Sequence, residues 1–406
     1  MESPRAKVRY SDFLRDAFLL SVSCFGGPQS HIAHFQKLLV EKRKYITEEQ
    51  LIEVNALGQV LPGPTSTQTL TAIAYKLRGP NLAYLTLIIW MLPSVAIMTV
   101  LAMLLASFEM KQMSLAFTRF IQPMAVGFVV YGAYSIGLKT VTTQRGVVLM
   151  ILAAVFSYLI KTPFVFPVIL VVAGCVTAFN YKAHPREPKR KFDVKWANFF
   201  LWVGVLIFAA LLGALTKSQP EFLPIRLFEN FYRNGSLVFG GGQVLTPLLY
   251  TEFVQYAPKH YLSDEEFRTG YALVQALPGP VFSFSSFIGA LSMRDFGTNG
   301  QIFGALMSAA GVFLPGTFLI FFMTRVWDSL KSFRAIRASL EGILAANAGL
   351  VTTAAVVLFQ PLVGSQPLES VLLNSLFTLI TFGLVTFTKV PSWAIVAGGL
   401  VVGIIF

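Results

Sequence analysis

Two hexapeptides with the same chemistry stand far apart in this 406-residue chain: Gln59-Val60-Leu61-Pro62-Gly63-Pro64 and Gln275-Ala276-Leu277-Pro278-Gly279-Pro280. The first proline of each removes a backbone donor and stops an incoming helix. The glycine admits close backbone approach and unusual dihedral angles. The second proline suits the first turn of a new helix, where its missing N–H is not needed. Each break therefore aims a helix N-terminus, whose free N–H groups and dipole favour an anion. Behind the first break come Thr65, Ser66, Thr67 and Gln68. Behind the second come Ser283, Ser285 and Ser286, in the company of Phe282, Phe284 and Phe287. Such neutral donors would replace the hydration shell of a tetrahedral oxyanion without holding it too tightly for release. Gln59 and Gln275 stand one turn before each break. Two glycine-rich tips, Phe25-Gly26-Gly27-Pro28-Gln29 and Phe239-Gly240-Gly241-Gly242-Gln243, would close the same pocket, with Gln29 and Gln243 as further donors. The plain alternative is a pair of packing kinks, since Gly and Pro are common in membrane helices. Two matched breaks favour the functional reading.

The breaks belong to a duplication. Tyr45-Ile46-Thr47-Glu48-Glu49 recurs as Tyr261-Leu262-Ser263-Asp264-Glu265, at the same separation as Pro62 from Pro278. A weaker echo links Leu92-Pro93 with Leu314-Pro315. Blocks recurring in one order at one spacing mark an internal repeat. The expected organisation is a first repeat over 1–181, a linker over 182–195, an extra helix over 196–220 and a second repeat over 221–406. The linker is rich in Lys and Arg, which places it in the cytoplasm by the positive-inside rule.

Composition names the solvent of these elements. The chain is 55% hydrophobic and 13% charged, whereas soluble domains carry roughly a quarter charged residues. Continuous apolar runs, among them 81–108, 144–161, 164–180, 196–216, 300–326, 340–360 and 391–406, approach or exceed the ~20 residues of a spanning helix. The fold class is an all-α polytopic membrane protein, and continuous runs exclude a barrel. The net charge of +12 reads as loop charge that fixes orientation, not as a nucleic-acid surface. Cys24 and Cys175 lie in apolar sequence and read as packing residues. The stretch after the basic N-terminus has no small-residue cleavage site, so no removed signal peptide is expected.

The segments before residue 80 are short. Phe13 to Gly27, Glu48 to Leu61 and Thr65 to Arg78 would each give a helix of roughly 22 Å, less than the ~30 Å hydrocarbon core. Two readings stand: re-entrant hairpins whose broken tips meet inside the membrane, or ordinary tilted spans. Loop charge supports hairpins entering from the cytoplasm, with Arg5, Lys7 and Arg9 before them, Lys37, Lys42, Arg43 and Lys44 between, and Lys76 and Arg78 after. The helix near 196–216 carries the chain across, and the matching segment 251–266 has Lys259 beside Glu252, Asp264, Glu265 and Glu266. The two repeats would then be inverted, with broken helices, as in many secondary transporters.

Phe25-Gly26-Gly27-Pro28 followed by His31, then Gln59-x-Leu61-Pro62-Gly63-Pro64, resembles the first domain of the chromate ion transporters; Phe239-Gly240-Gly241-Gly242 and Gln275-x-Leu277-Pro278-Gly279-Pro280 resemble the second. The resemblance covers nearly the whole chain and is to the long, two-domain type. It implies efflux of chromate driven by ion gradients and conferring chromate resistance, with sulfate as the isosteric natural dianion. His31 would bind the anion or carry a proton, or serve as a polar interfacial histidine. His31 and His34 lack a completing ligand set, so no metal is expected, and no cofactor. Gly137-Leu138-Lys139-Thr140 misses the phosphate-loop pattern. No protease, hydrolase or convincing paired-carboxylate motif appears, which leaves a membrane enzyme the weakest reading, behind a secondary oxyanion exporter and an anion channel. The expected partners are chromate or sulfate, protons or another counter-ion, the lipid of the inner membrane, and a second copy of the chain in a homodimer.

Overall fold

The computed structural model describes residues 8–24, 27–110, 119–160, 162, 165–183, 196–217, 219–238, 242–330, 333–364 and 366–405. Most of the linker, from 184 to 195, lies outside them. The chain is helical, with no strand among the described residues. The first half gives α1 (Tyr10–Ser23), α2 (Gly27–Phe35), α3 (Glu48–Val60), α4 (Thr65–Arg78), α5 (Pro80–Met110), α6 (Ile121–Thr140), α7 (Gln144–Leu159) and α8 (Val165–Ala178). Helix α9 (Ala197–Leu215) follows. The second half gives α10 (Leu223–Gly235), α11 (Gly242–Tyr250), α12 (Asp264–Ala276), α13 (Phe284–Ser292), α14 (Gly297–Leu330), α15 (Arg334–Val363), α16 (Leu368–Phe387) and α17 (Ser392–Ile405). Among the described residues, five stretches are long and apolar enough to cross a membrane: Pro80–Ser107, Ala197–Leu215, Arg294–Thr324, Arg334–Val363 and Leu368–Phe387. The protein is an all-α polytopic membrane protein.

The order of elements repeats, α1 to α8 against α10 to α17, and so do their irregularities. A π-helical turn follows α2 at Gln36–Lys42 and α11 at Thr251–Gln255. The long helices α5 and α14 each carry one internal proline, Pro93 and Pro315. The recurring Tyr-x-Thr/Ser block has a local purpose. Thr47 Oγ1 accepts the Gln50 N–H at 3.3 Å, while Gln50 Oε1 accepts the Thr47 N–H at 3.1 Å. Ser263 and Glu266 make the same reciprocal pair at the start of α12, at 3.1 and 2.6 Å. Both are capping boxes, which satisfy two orphan donors at once.

The chain forms two compact units, and each draws on both halves. The first comprises Met1–Leu101, Asp193–Ser236 and Leu277–Trp327. It holds α1 to α4, most of α5, α9, α10, both breaks, α13 and α14. Its core joins Phe13, Leu20, Phe35, Leu70 and Trp90 to Phe321 of α14, and Tyr75 stacks on Phe321 at 4.6 Å between ring centres. The second comprises Ala102–Phe192, Leu237–Ala276 and Asp328–Phe406. There α15 packs against α6, α7 and α8. Small residues allow that approach: Gly342 lies against the Ala173 carbonyl and Gly349 against that of Met150, where a Cβ would overlap.

Candidate functional site

Helix α4 begins in the protein interior. Pro62, Gly63 and Pro64 are buried, as are Thr65, Ser66, Thr67 and Gln68 behind them. Gly63 has φ +119°, a conformation that a side chain would strain. Pro64 is the N-cap and supplies no side-chain cap. The first N–H groups of the helix have no acceptor within it. A buried helix end left uncapped, beside an α3 that is fully boxed, is where a ligand would complete the bonding.

The side chains at this end form a braced cluster. Ser66 Oγ lies 3.0 Å from His31 Nδ1. Thr67 Oγ1 accepts the Trp90 Nε1–H at 3.0 Å, and the His31 and Trp90 rings meet edge to face, 5.4 Å apart. Gln68 Nε2 donates to the Pro62 carbonyl at 2.7 Å and to the Gly316 carbonyl at 3.2 Å. The Gln68 amide thus ties the break together, and its N–H groups face protein carbonyls. Thr69 and Thr71 bond back to the Thr65 and Thr67 carbonyls. His31 Nε2 and Gln68 Oε1 are buried without a hydrogen-bond partner.

The second break has a different finish. Gly279 has φ +93°, and its N–H donates to the Cys24 carbonyl at 2.9 Å. A 3₁₀ turn, Val281–Ser283, leads into α13. Ser286 donates to the Ser283 carbonyl at 2.6 Å and contacts that of Val95 at 3.3 Å. The hydroxyls of Ser283 and Ser285 are fully buried and have no hydrogen-bond partner. Buried polar groups are normally satisfied, so two orphaned hydroxyls at an uncapped helix start point to a missing acceptor.

The two breaks are cross-seated. A Cβ on Gly63 would stand 3.0 Å from Gly316 Cα, the residue after the internal Pro315 of α14. A Cβ on Gly279 would stand 3.2 Å from Ser94 Oγ, the residue after the internal Pro93 of α5. Each half's break therefore rests beside the internal proline of the other half's long helix. Cys24, at the end of α1, reaches the second break through its carbonyl, which takes the Gly279 N–H.

The first unit thus assembles Pro62 to Thr67, His31, Pro278 to Pro280 and Ser283. Gln59 is exposed on α3, and Gln275 is half-buried on α12 in the second unit. Gly27 and Gln29 lie in α2, and Gly242 and Gln243 in α11. Gly26, Gly240 and Gly241 lie outside the described residues. Sequence reasoning passed over Trp90, Ser94, Gly316 and the Cys24 carbonyl. Only the Leu92-Pro93 and Leu314-Pro315 echo pointed near two of them.

The family model described as chromate transporter matches residues 11–179 and again 225–404. An uncharacterized transporter of Methanocaldococcus jannaschii is 24% identical over 352 residues, 86% of this chain and 83% of its own. A chromate transport protein of Cupriavidus metallidurans is 26% identical over 385 residues, 94% of this chain and 89% of its own. That of Pseudomonas aeruginosa is 26% identical over 342 residues, 83% and 78% of the two chains. No solved structure matches the chain.

Proposed function

Because this chain belongs to the chromate transporter family, we propose that it is a secondary transporter exporting a tetrahedral oxyanion, chromate or its isostere sulfate, across the cytoplasmic membrane. The observation that carries the reading is the pair of buried, uncapped helix starts, with the orphaned Ser283 and Ser285 hydroxyls beside the second. Their donors are neutral, which suits an ion that must be released as well as bound. A dianion leaving a negative-inside cell gains about 2.3 kcal/mol per charge at 100 mV. Potential alone would then sustain roughly thousandfold export of a dianion, before any coupling to protons or another counter-ion.

Alternating access follows from inverted repeats, 1–181 and 221–406, each placing a broken helix at the substrate. The cross-seating gives that scheme a contact to work on. When one long helix moves at its internal proline, the break of the other half loses or regains its seat. Labelled chromate or sulfate uptake into everted vesicles tests the reading. Saturable, gradient-dependent uptake is the expected result. Flux that never saturates would make the protein a channel, and no flux of either ion would end the proposal.

A further inference from the structure

Helix α12 leads along the chain into the second break, and its Arg268 is only 5% exposed. The first half has an exposed Ile52 at the matching position, so this cation belongs to the second repeat alone. The bonding around it is incomplete. A guanidinium offers five N–H donors in a planar fork. Here Nε and Nη2 share a single acceptor, Gln122 Oε1 of α6, at 3.4 and 3.2 Å. Nη1 makes no hydrogen bond. Among the described residues, its one carboxylate within ion-pair range is Asp264 Oδ1 at 3.6 Å, from a side chain 44% exposed that also receives the Tyr250 hydroxyl of α11. Glu265 is held elsewhere, accepting the Gln122 amide at 2.9 Å, which turns the Gln122 carbonyl toward the arginine. Helix α17 also packs on α12 and carries no ionisable side chain.

A guanidinium whose task was to pin three helices would be expected to close on its carboxylate in a fork-to-fork pair. This one is buried with most of its fork unused and faces, among the described residues, one solvent-reachable carboxylate at 3.6 Å. We propose that Arg268 and Gln122 form a second oxyanion site, within the second unit, where a tetrahedral dianion takes Asp264's place at the guanidinium. Two oxygens of the dianion would accept from Nη1 and Nη2. The arginine contact and the Tyr250 hydroxyl share Asp264 Oδ1, so displacement would swing the carboxylate away from both. The identity of the ligand rests on the oxyanion reading above; the existence of the site does not.

Equilibrium binding of labelled sulfate to the purified full-length protein tests this without needing transport. Arg268→Gln is expected to remove one class of site or weaken it at least tenfold, and Arg268→Lys, which keeps charge but loses the fork, to weaken it less. Asp264→Asn, which removes the competitor, is expected to tighten binding several-fold. A structural pin would instead make Asp264→Asn and Arg268→Gln lose binding together. Unchanged or weaker binding in Asp264→Asn overturns the proposal even where Arg268→Gln fails to fold, as does wild-type binding in Arg268→Gln. A wild-type protein that binds sulfate at Arg268 but moves no anion would defeat the transport reading and leave this site standing.

Discussion

At Gly63 two constraints coincide: φ is +119°, and a Cβ would lie 3.0 Å from both Gln68 Nε2 and Gly316 Cα. Gly79 shares the positive φ, at +82°, but has open space around it. Gly63→Ala should therefore cost the strain of an unfavourable dihedral, about 1–3 kcal/mol, and also displace the break, abolishing uptake while the protein still reaches the membrane. Gly79→Ala should cost the strain alone and keep most of its flux. Gly279→Ala should fall between, because its tightest neighbour is the Ser94 hydroxyl at 3.2 Å, a side-chain end that can turn. Uptake assays normalised to membrane protein rank the three, and equal flux in Gly63→Ala and Gly79→Ala would remove the special role of the first break. The orphaned hydroxyls make the opposite kind of prediction. Burying an unpaired polar group costs about 1–3 kcal/mol. Ser285→Ala should therefore leave the Tm of the purified protein unchanged or raised, while KM for the oxyanion rises; a lower Tm with unchanged KM would make Ser285 structural.

Among the elements, the Tyr45 and Tyr261 blocks were legible as a repeat, and both copies fold into capping boxes because Ser/Thr-x-x-Glu/Gln is a local pattern. The breaks were legible for the same reason, since Pro-Gly-Pro acts on its own backbone. What each break rests on was not. Gln68 and Gly316 are 248 positions apart, and no local pattern encodes such a pair. The burial of Arg268 was equally hidden, because a charge near an acidic helix start looks solvated until α6 and α11 close around it. The internal prolines now become testable. An internal proline destabilises a helix by ~3 kcal/mol in water, less where neighbours satisfy the freed groups. Pro315→Ala should then keep or raise thermal stability yet lower flux, because the backbone beside Gly316 loses the local freedom that seats it against Gly63. Pro93→Ala should do the same through Ser94 and Gly279. Wild-type flux in both variants, measured beside their Tm, would show that the two prolines only fill space.

For the whole molecule, the sequence disclosed a duplication, while the compact units run across it: each takes segments from both halves. Linear repeat order could not reveal that, since it emerges from which long helices carry the chain between units, as α5 does at Leu101 and Ala102. Inversion of the repeats is the remaining global question, and the structure selects the probes. Arg43 and Lys259 occupy matching places in the two halves, but each neutralises a fully buried carboxylate, Asp16 at 2.7 Å and Glu252 at 2.6 Å. Removing either cation would take charge compensation from a buried carboxylate, a loss of about 3–5 kcal/mol. Lys42 and Ala257 are exposed neighbours without that burden. With exposed Cys175 replaced by serine and buried Cys24 left in place, Lys42→Cys should react with an impermeant thiol reagent only in everted vesicles. Ala257→Cys should react only in intact cells. Inverted repeats require that opposition, since the capping boxes of α3 and α12 begin from these two loops. Labelling of both cysteines from one side would mean parallel repeats, and the two helix starts could not then approach one anion from opposite faces.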